Sequence, residues 1–116
     1  MEASALGLWD YDVSTGHIFL SAEYYRILGY APFEYKPTVE NWIMRSHPDD
    51  KHKIGLLETL LSGKENLTHI IELRAETKQG NYKWISISGR VVHRDNKGKP
   101  RRIAGTIRDI SERKAA

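Results

Sequence analysis

The residues best equipped for chemistry in this 116-residue chain are His47, Asp49, Asp50 and His52, the densest group of proton- and metal-binding side chains it holds. Positions five apart on a helix point about 140° from each other, so His47 and His52 do not share a face, and no metal site is assigned. The same letters have a structural explanation. In His47-Pro48-Asp49-Asp50 the proline suits a first helical position, the carboxylates sit at the positive end of the dipole, and His47 stands at the cap. Ser86 and Ser88 lie beside no glycine elbow, and no histidine and carboxylate fall at the spacing of a triad or an acid–base pair. Phosphate-loop and dinucleotide glycine patterns are absent. With no cysteine, there is no thiolate metal site, iron–sulfur cluster, disulfide or cysteine nucleophile. No catalytic residue is assigned, and no enzyme activity is expected of this chain.

The frame that must position these residues is a single domain over 1–116. Forty percent apolar and 28% charged residues are ordinary globular values. No apolar run approaches the ~20 residues of a membrane span, so no membrane is expected. The first residues, Met1-Glu2-Ala3-Ser4-Ala5-Leu6-Gly7, lack the basic segment and apolar stretch of a secretion signal, and the expected compartment is the cytoplasm. Charge is unevenly spread. Residues 1–73 carry 6 Lys/Arg against 11 Asp/Glu, and residues 74–116 carry 12 against 4. The basic half is also the half that alternates like a sheet, and cations on outer sheet positions read as a solvated face, so no nucleic-acid partner is assigned.

Periodicity places the elements. Leu8 to Val13 alternates apolar and acidic residues, Ser14-Thr15-Gly16 turns, and Ile18 and Leu20 resume a period of two, giving a first hairpin. Ser21 caps a short helix that Gly29 closes, and Thr38 caps Val39 to Arg45. His47 opens the longest expected helix, with Ile54, Leu57, Leu60 and Leu61 as one apolar stripe ended by Ser62-Gly63. From Leu67 the period returns to two, with turns at Lys78-Gln79-Gly80-Asn81 and Asp95-Asn96-Lys97-Gly98 and strands over about 82–94 and 101–108. Two strands, helices and then three strands in a meander predict an α+β fold: a five-stranded antiparallel sheet with all helices on one face. The inward positions by pattern include Trp42, Met44, Ile54 and Leu57 from the helices and His69, Ile71, Ile85, Ile87 and Ile107 from the sheet. They form either a filled core or the lining of an apolar cavity, with Gly89 and Gly105 leaving room.

In this order the chain resembles the PAS sensory domain that ends in a PAC half. The matching pieces are Gly7-Leu8-Trp9-Asp10-Tyr11-Asp12, Ile27-Leu28-Gly29-Tyr30, His47-Pro48-Asp49-Asp50 and Glu72-Leu73-Arg74. They continue with Gly80-Asn81-Tyr82-Lys83-Trp84-Ile85 and Ile103 to Arg113, in which Asp109-Ile110-Ser111 stands where the family usually has Asp-Ile-Thr. The resemblance implies a sensory or signal-relay domain of a larger signalling protein, such as a two-component histidine kinase or a cyclic-dinucleotide enzyme, with the output domain of that parent chain as its partner. The ligand-free alternative is a protein–protein interaction and dimerisation module. A small apolar or aromatic ligand between sheet and helices would meet Trp42, Met44, Ile54, Leu57, His69, Ile71, Ile85, Ile87 and Ile107.

The cofactor stays unknown. Some relatives ligate haem through a histidine on the long helix, but surface positions suit His47 and His52, and haem is not favoured. The light-sensing branch uses a cysteine that this chain lacks, and its two flavin-contacting amides correspond to Ile85 and Ile107, so flavin is not favoured either. A weak homodimer is expected through the outer sheet face, where Trp84 projects with Ser86, Ser88 and Arg90. Residues 109–116 read as the start of an exit linker helix. The resemblance pairs Asp109 with Arg74 as a signal-relay clamp between that helix and the sheet.

Overall fold

The computed structural model describes residues 5–115; residues 1–4, and residue 116 of the expected exit helix, lie outside the described residues. Five strands, β1 (Leu6–Asp12), β2 (Ile18–Leu20), β3 (His69–Glu76), β4 (Tyr82–Arg94) and β5 (Pro100–Asp109), form one sheet in the order β2-β1-β5-β4-β3. Every neighbouring pair is antiparallel. The chain therefore returns after its helices to lay β5 beside β1 at the centre. Helices α1 (Ala22–Ile27), α2 (Val39–Arg45) and α3 (Leu56–Ser62) lie between β2 and β3 in sequence, and α4 (Ser111–Ala115) comes after β5. The predicted α+β architecture is the one observed.

The caps read from sequence are made. Ser21 Oγ accepts from the Tyr24 N–H and the Leu8 N–H, so one hydroxyl starts α1 and ties it to β1. Thr38 Oγ1 accepts from the Asn41 N–H at 3.1 Å and His47 Nδ1 from the Asp49 N–H at 3.0 Å. Beyond His47 the chain differs from the expected long helix: Pro48–Gly55 is a 3₁₀ segment, and only Leu56–Ser62 is α-helical. Contacts to β3 pin the tighter segment. Asp50 accepts the Arg74 backbone N–H at 2.8 Å and Lys53 donates to the Glu72 carbonyl at 2.8 Å. A 3₁₀ turn advances about 20° more per residue than an α turn, so the apolar stripe rotates out of phase. Leu56 and Leu60 are buried, while Ile54 and Leu57 are half-buried and Leu61 is exposed.

The stretch after α2 also closes the outer strand. Ser46 bridges Ala75, and the His47 N–H donates to the Arg74 carbonyl at 2.8 Å. With the Asp50 and Lys53 bonds, these give the free side of β3 polar partners from Glu72 to Ala75.

The core sits between sheet and helices, with Tyr25, Leu73, Ile85, Ile103 and Ile107 fully buried. Gly89 and Gly105 face each other across β4 and β5, and Trp9 lies opposite Gly105 on β1. A Cβ on Gly105 would sit 1.7 Å from the Ser88 carbonyl oxygen, and one on Gly89 would sit 2.6 Å from the Trp9 ring. The two glycines make a flat floor on which that indole lies.

Candidate functional site

Above this floor a pocket opens between the β1–β2 half of the sheet and the helices. Trp9 and Tyr11 reach it from alternate positions of β1, Ile18 and Leu20 from β2, Tyr24 from α1, Trp42 from α2, Leu56 and Leu57 from α3 and Ile87 from β4. Tyr35 and Thr38 come from the irregular link before α2. The pocket is partly open and holds about 40 Å³, room for about three water-sized groups.

Each wall has a specific support. The Trp9 indole N–H donates to the Ser88 carbonyl at 2.9 Å, which fixes its plane over Gly89. The Tyr35 ring is held between Tyr25 and Tyr30, each with ring centroids 4.9 Å away. The Arg45 guanidinium lies 3.6 Å from its centroid, and the Tyr25 hydroxyl donates to the Tyr35 carbonyl at 3.1 Å. Burial pushes the Tyr24 phenol well above its usual range and the Tyr35 phenol up to about 12. Both are neutral hydroxyls at physiological pH. No lining side chain carries a formal charge there, so the pocket offers aromatic faces and a few hydroxyls.

Of the residues expected to meet a ligand, the structure brings Trp42, Leu57 and Ile87 to this pocket. Met44 is a correction: it is 65% exposed, because α2 is seven residues long and turns that side to solvent. Ile85 and Ile107 are sealed in the core rather than open to a cavity. Ile71 packs against that core from β3, while His69 and Ile54 are half-buried and do not line the pocket. Sequence reasoning missed Trp9, Tyr11, Ile18, Leu20, Tyr24, Tyr35, Thr38 and Leu56. The signal for Trp9 and Tyr11 was present in the apolar–acidic alternation of β1. Among the described residues no three His, Asp or Glu side chains gather where they could hold a metal ion.

The expected Asp109–Arg74 clamp is also corrected. Arg74 pairs instead with Asp50, through Nε at 2.9 Å and Nη2 at 3.0 Å. These bonds outweigh burial and hold the Asp50 carboxyl far below the usual range. Asp109 faces Lys83, 3.2 Å away on the adjacent strand, and accepts the Ser111 N–H at 2.9 Å, so it is both a cap and an ion-pair partner. Register explains the swap. Asp109 lies opposite Ile85 and shares the helix-facing side with Lys83, whereas Arg74 lies opposite Trp84 on the other side. The exit helix is gripped from that other side by Glu72, which pairs with Arg113 and with Lys114, the latter at 2.9 Å. Lys53, Arg74 and Lys114 all approach the Trp84 ring, within 5.5 Å of its centroid. Trp84 is thus half-covered by cations rather than projecting alone.

A family model described as PAS fold matches residues 17–107. The chain is 28% identical over 123 residues to the blue-light-activated histidine kinase of Brucella anthropi, a match that takes in all of this chain and 22% of that protein. It is 37% identical over 71 residues to hybrid signal transduction histidine kinase A of Dictyostelium discoideum, covering 59% of this chain and 3% of the relative. The chain thus spans a small part of the curated relatives it matches. Among solved structures, a sensory box histidine kinase/response regulator from Burkholderia thailandensis superposes with a TM-score of 0.78 at 30% identity, over 96% of this chain and 81% of that one. The N-terminal domain of a diguanylate cyclase with a PAS/PAC sensor from Marinobacter aquaeolei gives 0.80 at 26%, over 94% and 98%. The motifs, the strand order and these matches agree: the chain belongs to the PAS fold family.

Proposed function

We propose that this PAS domain is a cytoplasmic sensory and relay module of a larger signalling protein, binding a small apolar or aromatic ligand between sheet and helices and passing the change to its exit helix. The observation that carries the reading is a physical connection between pocket and exit. Leu56 and Leu57 line the pocket and directly succeed the 3₁₀ segment, whose Asp50 and Lys53 hold β3. On β3, Glu72 holds Arg113 and Lys114 of α4. A ligand that displaces Leu56 and Leu57 would pull on the strand that anchors the exit helix, a shear of packed elements rather than a hinge. The output belongs to a kinase or cyclase domain elsewhere in the parent chain, and this domain contributes no catalytic step. The test is a native mass spectrum for a bound small molecule, then amide exchange of residues 110–114 with and without it. Bound ligand with altered exchange there supports the relay; bound ligand with unchanged exchange refutes it.

A second reading, the interaction and dimerisation module, has its own observation. Leu6, Leu8, Phe19 and Ile70 are exposed on strands of the one sheet. By alternation all four lie on the side away from the helices, an apolar face suited to a weak homodimer.

A further inference from the structure

Two indoles line the pocket, and they differ in one respect. The Trp9 N–H is satisfied by the Ser88 carbonyl, whereas Trp42 Nε1 is buried with no hydrogen-bond partner among the described residues. Indole N–H groups that are buried normally find an acceptor, so this one marks a place where an acceptor is missing. The rest of the lining limits what that acceptor belongs to. No lining side chain is charged, and a bound ion would lose its hydration without a counter-charge. Arg45 stacks on Tyr35 but is engaged by the Tyr30 hydroxyl and by Asn41, and it does not line the pocket. The volume of about 40 Å³ suits a molecule of only a few non-hydrogen atoms, and a slightly larger one once a wall gives way.

We propose that the pocket takes a small uncharged molecule bearing a hydrogen-bond acceptor, which accepts the Trp42 Nε1–H. This rests on the reading that the pocket binds a small molecule, and it adds the chemical class and the contact. The N–H is closed to solvent as the pocket stands, so the acceptor reaches it when a wall moves. We assign that movement to the irregular link that brings Tyr35 and Thr38 to the pocket. Within it Phe33 holds a φ of 63°, in the left-handed region where phenylalanine is rare, and its ring is exposed.

The test uses four probes of similar size on the 116-residue chain: butanone, its hydrocarbon isostere 2-methyl-1-butene, propionate and tetramethylammonium. Indole N–H resonances are tracked by ¹H–¹⁵N spectra in the wild type and in Trp42→Phe. Butanone is expected to move the Trp42 indole proton downfield and saturate. Trp42→Phe should weaken butanone about tenfold while leaving 2-methyl-1-butene within about twofold. Propionate and tetramethylammonium should give no saturable shift. Butanone affinity unchanged in Trp42→Phe, with both neutral probes bound, overturns the acceptor contact and leaves the pocket reading standing. Saturable binding of either ion overturns the uncharged class. A water that keeps its cross-relaxation with the Trp42 N–H at saturating butanone shows a hydration site and also overturns the proposal. If no probe perturbs the pocket, the proposal and the pocket reading fall together. Should Trp42→Phe lose its dispersed spectrum, the wild-type indole shift with butanone, set against its absence with 2-methyl-1-butene, decides.

Discussion

Replacing Asp50 with asparagine tests the account of how the 3₁₀ segment is held. Asp50 is 3% exposed and its carboxylate accepts three hydrogen bonds from Arg74, one from the backbone N–H and two from the guanidinium. Asparagine keeps the shape and one acceptor for the backbone donor but removes the charge and one guanidinium contact. Breaking a buried ion pair costs about 3–5 kcal/mol when the surviving charge is sealed in. Here the Arg74 side chain keeps 30% exposure and can be rehydrated, which lowers the expected loss to about 2 kcal/mol, or about 8 °C in Tm. The depressed carboxyl sets the sign with pH. Its stabilisation is fully present above the unfolded-state value near 4, declines as pH falls below that value, and is gone once pH has passed the still lower folded-state value. Urea unfolding of wild type and Asp50→Asn from pH 7 to pH 2 should therefore show a constant gap above about pH 5 that narrows below about pH 4. A gap under about 0.5 kcal/mol at pH 7, or one that stays constant to pH 2, would refute the reasoning.

Three further outcomes are expected. Gly89→Ala places a methyl 2.6 Å from the Trp9 ring, so unfolding should be easier by about 1–3 kcal/mol with a shift in tryptophan emission; unchanged emission would show that the floor is not what orients Trp9. Glu72→Gln should speed amide exchange across residues 111–114 with little change in global stability. The wild-type contact should fail in the same way as pH falls, because the hydrogen bonds from Lys114 and Arg113 hold the Glu72 carboxyl below its usual range. Leu8→Lys with Phe19→Lys should abolish any concentration-dependent sedimentation, since both residues are exposed on the outer sheet face; self-association that survives would place the contact elsewhere.

The sheet was legible because its evidence is local. Period-two runs, hairpin turns and the Ser21, Thr38 and His47 caps each depend on residues close in sequence, and β4 spans the residues its alternation marks. The 3₁₀ segment was not legible, because its tightening comes from Asp50 and Lys53 binding a strand about 20 positions onward. The pocket was half legible for a related reason. Periodicity marks Trp42, Leu57 and Ile87, but placing the pocket over β1 and β2 requires knowing that β5 inserts between β1 and β4. Without that, the late isoleucines look as cavity-facing as any, and Ile85 and Ile107 prove to be solid core. Arg74 and Asp109 were both correctly marked as ion-pair residues and wrongly joined, since one register position decides which face each side chain takes.

The polar covering of β3 has a bearing on how long the protein survives in solution. His69-Ile70-Ile71-Glu72-Leu73 is a β-prone run at the rim of the sheet, the kind of segment that recruits like strands from other molecules once its backbone groups are free. The other rim, β2, is only three residues long and offers little to recruit with. Strand addition is blocked along Glu72 to Ala75, where the short stretch from Ser46 to Lys53 occupies the Glu72 carbonyl, both Arg74 backbone groups and the edge at Ala75. Asp50 supplies a bond in that stretch and titrates. Because the Arg74 bonds hold its carboxyl far below the usual range, Asp50 keeps its charge and its place on β3 through mild acid, and aggregation by strand addition should set in only where acid also unfolds the domain.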